Sequence, residues 1–187
     1  MTSPTLITVE AYRVDDLTPS ARDRLLDRER IAAWETWVVD EVTGILTDYL
    51  RERLDGVDSV EVTAWGIDPG AGAVVEGDVV DPRALARSLG IPEDDRPLRL
   101  DPYHGRGSQW AGTTGVLVED DDGYEVEPHE AASAALADLI RDALDEARAW
   151  ADDVTSDAAI LDGLRDADGW YDRRGDYLVD VVAEVAA

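Results

Sequence analysis

The chain has 187 residues, enough for one domain with a self-sufficient core, and no cysteine, which excludes disulfides, thiolate metal sites and a cysteine nucleophile. Its 43 acidic residues against 17 basic ones give a formal charge of −26, and all 17 basic residues are arginine. That balance lacks the basic footprint of direct nucleic-acid binding, and no apolar run approaches the about 20 residues of a membrane helix.

Residues 1–13 show no basic region of the kind that opens a signal peptide, so the expected setting is cytoplasmic. Leu6 to Val14 alternates and is rich in β-branched residues, which predicts an opening strand. Thr18-Pro19 pairs a capping hydroxyl with proline at the first helical position. From there a helix runs through Leu25-Leu26. Ile31, Trp34, Val38, Val42, Ile45, Tyr49 and Leu54 continue it at helical spacing. These predict one long or kinked helix stopped by Gly56. Trp34 on this stripe reads as core, with Trp37 flanking it, rather than as a cofactor box.

Val57 to Ile67 and Gly72 to Val80 are predicted strands, with Asp68-Pro69-Gly70 supplying the turn between them. Asp81-Pro82 opens a short helix, Arg83 to Leu89, which Gly90 and Pro92 stop. Pro92 to Gly112 is irregular apart from an extended piece at Leu98 to Leu100. Gly115 to Glu119 and Tyr124 to Glu127 flank Asp120-Asp121-Asp122-Gly123, a second hairpin signal. Those acids lack the alternating spacing and distal glutamate of a calcium loop, so they read as a solvated turn.

Glu130 to Trp150 is the clearest helix, with Ala132, Leu136, Leu139, Ile140, Ala143, Ala147 and Trp150 as its apolar stripe. Arg141 and Asp145 stand at i, i+4 on its wet side. Thr155-Ser156-Asp157 caps a further helix, Ala158 to Asp166. Gly169 to Tyr171 and Asp176 to Val181 suggest a terminal hairpin turning at Arg174-Gly175. Strands and helices mix without regular βαβ alternation. The expectation is a single α+β domain over 1–187, a small mostly antiparallel sheet packed against two long amphipathic helices.

Chemistry is sparsely signalled. Of the two histidines, His129 follows Pro128 at a helix start and reads as a surface or capping residue. His104 lies in Tyr103-His104-Gly105-Arg106-Gly107-Ser108-Gln109-Trp110. Backbone donors and Arg106 could hold a phosphate there, with Trp110 stacking on a base. The bland alternative is an ordered loop anchored by its aromatics. Tyr103, His104, Arg106, Ser108 and Trp110 are nonetheless the candidate ligand site, since loops carry function more often than the elements they join. No dinucleotide fingerprint, phosphate loop, nucleophile elbow or zincin helix is present. No metal, cofactor or catalytic residue is assigned, and nothing in the sequence supports an enzyme.

The order of segments carries a resemblance. The opening Thr8-Val9-Glu10-Ala11-Tyr12-Arg13-Val14-Asp15-Asp16-Leu17-Thr18-Pro19-Ser20-Ala21 is followed by an aromatic helix, Ile31 to Trp37. Trp65-Gly66-Ile67-Asp68-Pro69-Gly70 leads to Gly77, and Tyr103-His104 precedes the long helix. Thr155-Ser156-Asp157-Ala158-Ala159-Ile160-Leu161-Asp162-Gly163-Leu164, then Trp170-Tyr171 and Gly175, close the chain. This order resembles a phage- and prophage-associated family often labelled as antitoxins of toxin–antitoxin stability systems. The chain departs from it in lacking lysine and phenylalanine and in its altered glycine-rich turn.

The resemblance implies a mobile-element context and a non-enzymatic interaction protein, acting in the host cytoplasm if viral. Its partner would be a host or mobile-element protein, basic in charge, with an antitoxin-like or defence-inhibiting role. Two alternatives stand beside this reading: a nucleotide- or phosphate-binding module, and an acidic mimic of DNA. The acidity also fits a halophilic source, because at 1 M salt the screening length falls to about 3 Å and self-repulsion becomes tolerable.

Overall fold

The computed structural model describes residues 10–66, 71–93, 96–102, 114–119 and 126–178. They form an α+β fold whose chain divides into two compact units, residues 1–38 with 152–187 and residues 39–151. The expected single sheet is instead two small antiparallel sheets, ordered β1-β2 and β3-β4-β5.

In the first unit, a 3₁₀ turn at Val14–Asp16 leads into α1, Pro19–Ala33. Thr18 caps α1 by accepting the Ala21 N–H at 3.4 Å, as the Thr-Pro pair predicts. The helix then passes into a π-helical turn, Trp34–Val38. Helix α5, Asp157–Asp166, is capped by Ser156, whose Oγ accepts the Ala159 N–H at 3.2 Å. Arg30 of α1 holds the start of α5 through the Thr155 carbonyl at 3.1 Å and through the Asp157 carboxylate. The core of this unit gathers Val14, Leu17, Ala21, Leu25 and Tyr171, with Tyr12, Leu161 and Leu164 packed against it.

Of the predicted opening strand, Leu6 to Val14, residues 6–9 lie outside the described residues, and Tyr12 makes one bridge. Tyr12 donates its N–H to Tyr171 at 2.8 Å and accepts that of Tyr171 at 2.9 Å. Of the predicted terminal hairpin, residues 179–181 lie outside the described residues, and the rest makes a bridge, Tyr171 to Tyr177, closed by the Asp172–Asp176 turn.

The second unit begins with α2, Val39–Arg51, whose buried Val42, Leu46 and Leu50 recur every four residues. Strands β1, Val57–Trp65, and β2, Ala73–Val79, pair antiparallel as predicted. Helix α2 covers the outer edge of β1: Thr47 Oγ1 accepts the Val62 N–H at 3.3 Å, and Arg51 donates to the Val60 carbonyl at 3.3 Å. Trp65 Nε1 donates to Thr43 Oγ1 at 2.8 Å. Such side-chain cover removes an edge that another chain could otherwise extend.

Asp81 caps α3, Pro82–Ser88, accepting the N–H groups of Arg83 and Ala84 at 3.1 and 3.0 Å. Strands β3, Leu98–Asp101, β4, Gly115–Glu119, and β5, Val126–Pro128, make the second sheet. Helix α4, Glu130–Val154, buries Ala132, Leu136, Ile140, Ala143, Leu144, Ala147 and Ala151. Ser133 of α4 reaches β4, its Oγ accepting the Val116 N–H at 2.8 Å and donating to the Val116 carbonyl at 3.2 Å.

Two expectations need correction. Ile31 is 58% exposed, not part of the buried stripe, because the π turn inserts an extra residue and shifts the phase of what precedes Val38. Arg141 pairs with Asp138 at 2.6 Å, one turn back, while Asp145 pairs with Arg148 at 3.0 Å.

Candidate functional site

The Tyr103–Trp110 loop, with Tyr103, His104, Arg106, Ser108 and Trp110, lies outside the described residues, as do Asp68-Pro69-Gly70 and Asp120 to Gly123. His129 is described. Its Nδ1 accepts the Ala132 N–H at 3.2 Å, so it caps α4 as a histidine ahead of an apolar helix can. Among the described residues no three His, Asp or Glu side chains converge as a metal site, and no helix is long and apolar enough to cross a membrane.

Two surfaces of the first unit have the shape of binding sites. The first is a groove of about 340 Å³ between the end of α1 with its π turn and the face of α5. Ala32, Ala33, Ile160 and Leu164 supply apolar lining, with Thr36 and Glu29 beside them. Trp37 also lines the groove and stays 43% exposed. The local cause is the π turn. Within it Thr36 Oγ1 donates to the Ala32 carbonyl at 2.7 Å. Interruptions of this kind recur where helices carry function.

The sequence placed Trp37 beside the stripe and Trp34 on it. Trp34 is half-buried and Trp37 is the more exposed of the two. The stripe ranked the two correctly, but Trp34 is not core as expected. It gave no hint that Trp37 would stand next to Ile160 and Leu164, which lie on a helix more than a hundred residues away in sequence.

The second surface is an open cleft of about 780 Å³ at the start of α1 and the Asp172–Asp176 turn. Arg24, Arg173 and Arg174 line it, and Thr18 and Ser20 add hydroxyls. The turn is tightly built. The Asp172 carboxylate accepts the N–H groups of Arg174 at 2.7 Å and Asp176 at 2.9 Å. Those donors, first that of Asp176, hold the Asp172 carboxyl below the usual carboxylate range. Gly175 sits at φ +88°, and a Cβ there would come within 2.9 Å of the Ala21 carbonyl oxygen. Two arginines one helical turn apart on α1 clasp successive carbonyls of the turn: Arg24 reaches Arg174 O at 3.3 Å and Arg28 reaches Gly175 O at 2.9 Å.

The one sequence signal for this cleft is Arg173-Arg174, the only adjacent pair of basic residues in the chain. Other features of the unit are already internally satisfied. Arg13 stacks on Trp170 at 3.7 Å and pairs with Asp168 at 2.7 Å. Arg165 grips Asp15 with contacts of 2.8 to 3.2 Å, which lowers the Asp15 carboxyl.

Comparison of the chain with protein-family models, with curated proteins and with solved structures returned no match.

Proposed function

We propose that this chain is a non-enzymatic interaction protein that binds a basic protein partner through the Trp37 groove. The observation that supports this most is Trp37 itself, an exposed tryptophan beside an open, partly apolar groove between two helices. Tryptophan is over-represented among residues that dominate binding energy, above all next to a pocket that can be desolvated. The occupant best suited to a channel between helices is an amphipathic helix whose apolar face enters it.

Charge sets the rest of the partner's character. In salt-rich surroundings long-range steering is screened, so the excess of acid acts at contact range, where it pairs with a basic face and disfavours an acidic one. Glu29 stands in the groove lining. An apolar helix face with flanking lysine or arginine therefore fits, and a nucleic acid does not.

The segment-order resemblance to phage-associated, antitoxin-like proteins suggests what such a partner would be: a basic toxin or defence component in the same cytoplasm. The excess of acid over base further suggests a cell interior rich in salt. Both are readings of the sequence.

The test is capture from lysate of the source cells in molar KCl, comparing the parent chain with Trp37→Asp and with an unrelated acidic protein of matched charge. The expected result is a basic protein retained by the parent and lost with Trp37→Asp. If nothing is enriched over the charge-matched control, the proposal falls.

A further inference from the structure

In a chain where acids outnumber bases 43 to 17, an arginine normally has a carboxylate at hand. Within the first unit that holds for Arg28 with Asp176 at 2.8 Å, Arg30 with Asp27 at 2.9 Å and Arg165 with Asp162 at 2.8 Å. Arg22 reaches only the Asp15 carbonyl, at 2.7 Å, and Arg24, Arg173 and Arg174 also stand apart from the pattern. None of these last three forms a salt bridge among the described residues, and all three line one cleft.

Two carboxylates share that lining, and both are engaged. Asp172 accepts two backbone N–H groups of its own turn. Glu10 accepts the Tyr12 hydroxyl at 2.7 Å. The lining thus holds three guanidinium groups against two carboxylates, a local excess of positive charge on a strongly negative molecule.

The backbone that carries two of the arginines is also fixed in advance. Arg173 and Arg174 ride on a turn closed by Asp172, locked by the left-handed Gly175 and clasped from α1 by Arg24 and Arg28. Arg24 uses one Nη2 contact for that clasp, and its remaining N–H donors face no carboxylate among the described residues. Thr18 and Ser20 add neutral hydroxyls that can donate to an anion or accept from its protonated form.

We infer that this cleft binds a phosphate group, free or as a monoester, held by Arg24, Arg173 and Arg174. Phosphate fits better than a halide because the guanidinium fork matches paired oxygens, and a compact spherical ion gains little from it. A phosphate dianion also draws more from three cations lining one cleft than a monoanion does. The cleft shares no lining residue with the Trp37 groove, so the two proposals stand or fall separately.

The experiment is isothermal titration of the full chain with inorganic phosphate and, in a second arm, with glycerol 3-phosphate, at ionic strength held constant with KCl. Saturable binding is expected in at least one arm. Tighter binding of the ester identifies an esterified phosphate as the occupant, and equal or tighter binding of the inorganic ion identifies free phosphate. The double variant Arg173→Gln/Arg174→Gln, whose side chains are exposed, should weaken binding at least roughly tenfold with its circular dichroism unchanged. Arg141→Gln, on α4 and outside the cleft, should bind like the parent. No saturable heat in either arm up to about 10 mM ligand overturns the inference. So does binding that the double variant retains in full.

Discussion

Thr114 Oγ1 accepts the Val75 N–H at 2.7 Å and donates to the Val75 carbonyl at 2.9 Å, so one buried hydroxyl satisfies both backbone groups of a residue in β2. Thr114→Val keeps the shape and removes both bonds. The expected cost is about 2–4 kcal/mol, since a buried donor and a buried acceptor lose their partner together. Thr114→Ser, which keeps the hydroxyl, should cost about 1 kcal/mol for its missing methyl group. Urea unfolding followed by circular dichroism separates the two; equal losses would mean that the hydroxyl is not what holds β2.

Gly175 should resist any side chain. Its φ of +88° already disfavours one, and the nearest obstacle is backbone, the Ala21 carbonyl oxygen at 2.9 Å. Gly175→Ala is expected to destabilise the first unit by about 1–3 kcal/mol. Gly163, where an added Cβ meets nothing within 4 Å, is the control and should tolerate alanine or gain slightly from it. Thermal unfolding midpoints of the two variants check this.

The first unit should lose stability at both ends of the pH scale. Asp172, held low by the N–H groups of Asp176 and Arg174, and Asp15, held low by Arg165, contribute stability above the unfolded carboxylate value of about 3.9. That contribution disappears as pH falls through their lower folded values. Tyr171 is raised, chiefly by burial and then by the charge of Glu29. Its contribution is intact below about 10 and is lost as pH rises through the higher folded value. Acid also relieves the general repulsion of a −26 chain, so the comparison must be made against variants. Asp172→Asn should flatten the acid limb relative to the parent, and Tyr171→Phe the alkaline limb, in urea titrations across the range.

Stability should climb with salt. The charge of −26 repels itself at a screening length of about 10 Å and much less so at about 3 Å. Melting midpoints between about 0.1 M and about 3 M KCl are expected to rise, most steeply at the low end. A flat curve would show that the acidic surface carries no cost in dilute buffer, and the halophilic reading would lose its basis.

Local signals read well from this sequence. Thr18, Asp81 and Ser156 cap the helices that their side chains announce, because a cap is settled within three residues. The β1–β2 pair and β4 followed from alternation and turn residues for the same reason. What periodicity misses is a change of period. Ile31 was counted at 3.6 residues per turn across a π turn, and it came out on the wrong face. What it misses next is distance. The Arg24 and Arg28 clasp on residues 174 and 175, and the meeting of Trp37 with Ile160, depend on how far-apart segments fold together. Of the two clefts, only the second has a local mark, the adjacent Arg173-Arg174 pair.

The first unit is assembled from both ends of the chain, with residues 39–151 lying between its two parts in sequence. A ribosome therefore delivers Tyr12, Leu17 and Leu25 long before it delivers Tyr171, the residue that completes their cluster. The middle of the chain can begin to collapse while those leading residues still wait, their apolar faces open to whatever holds nascent chains. Birth order thus departs from spatial order here, and residues made late close a cluster begun by residues made early.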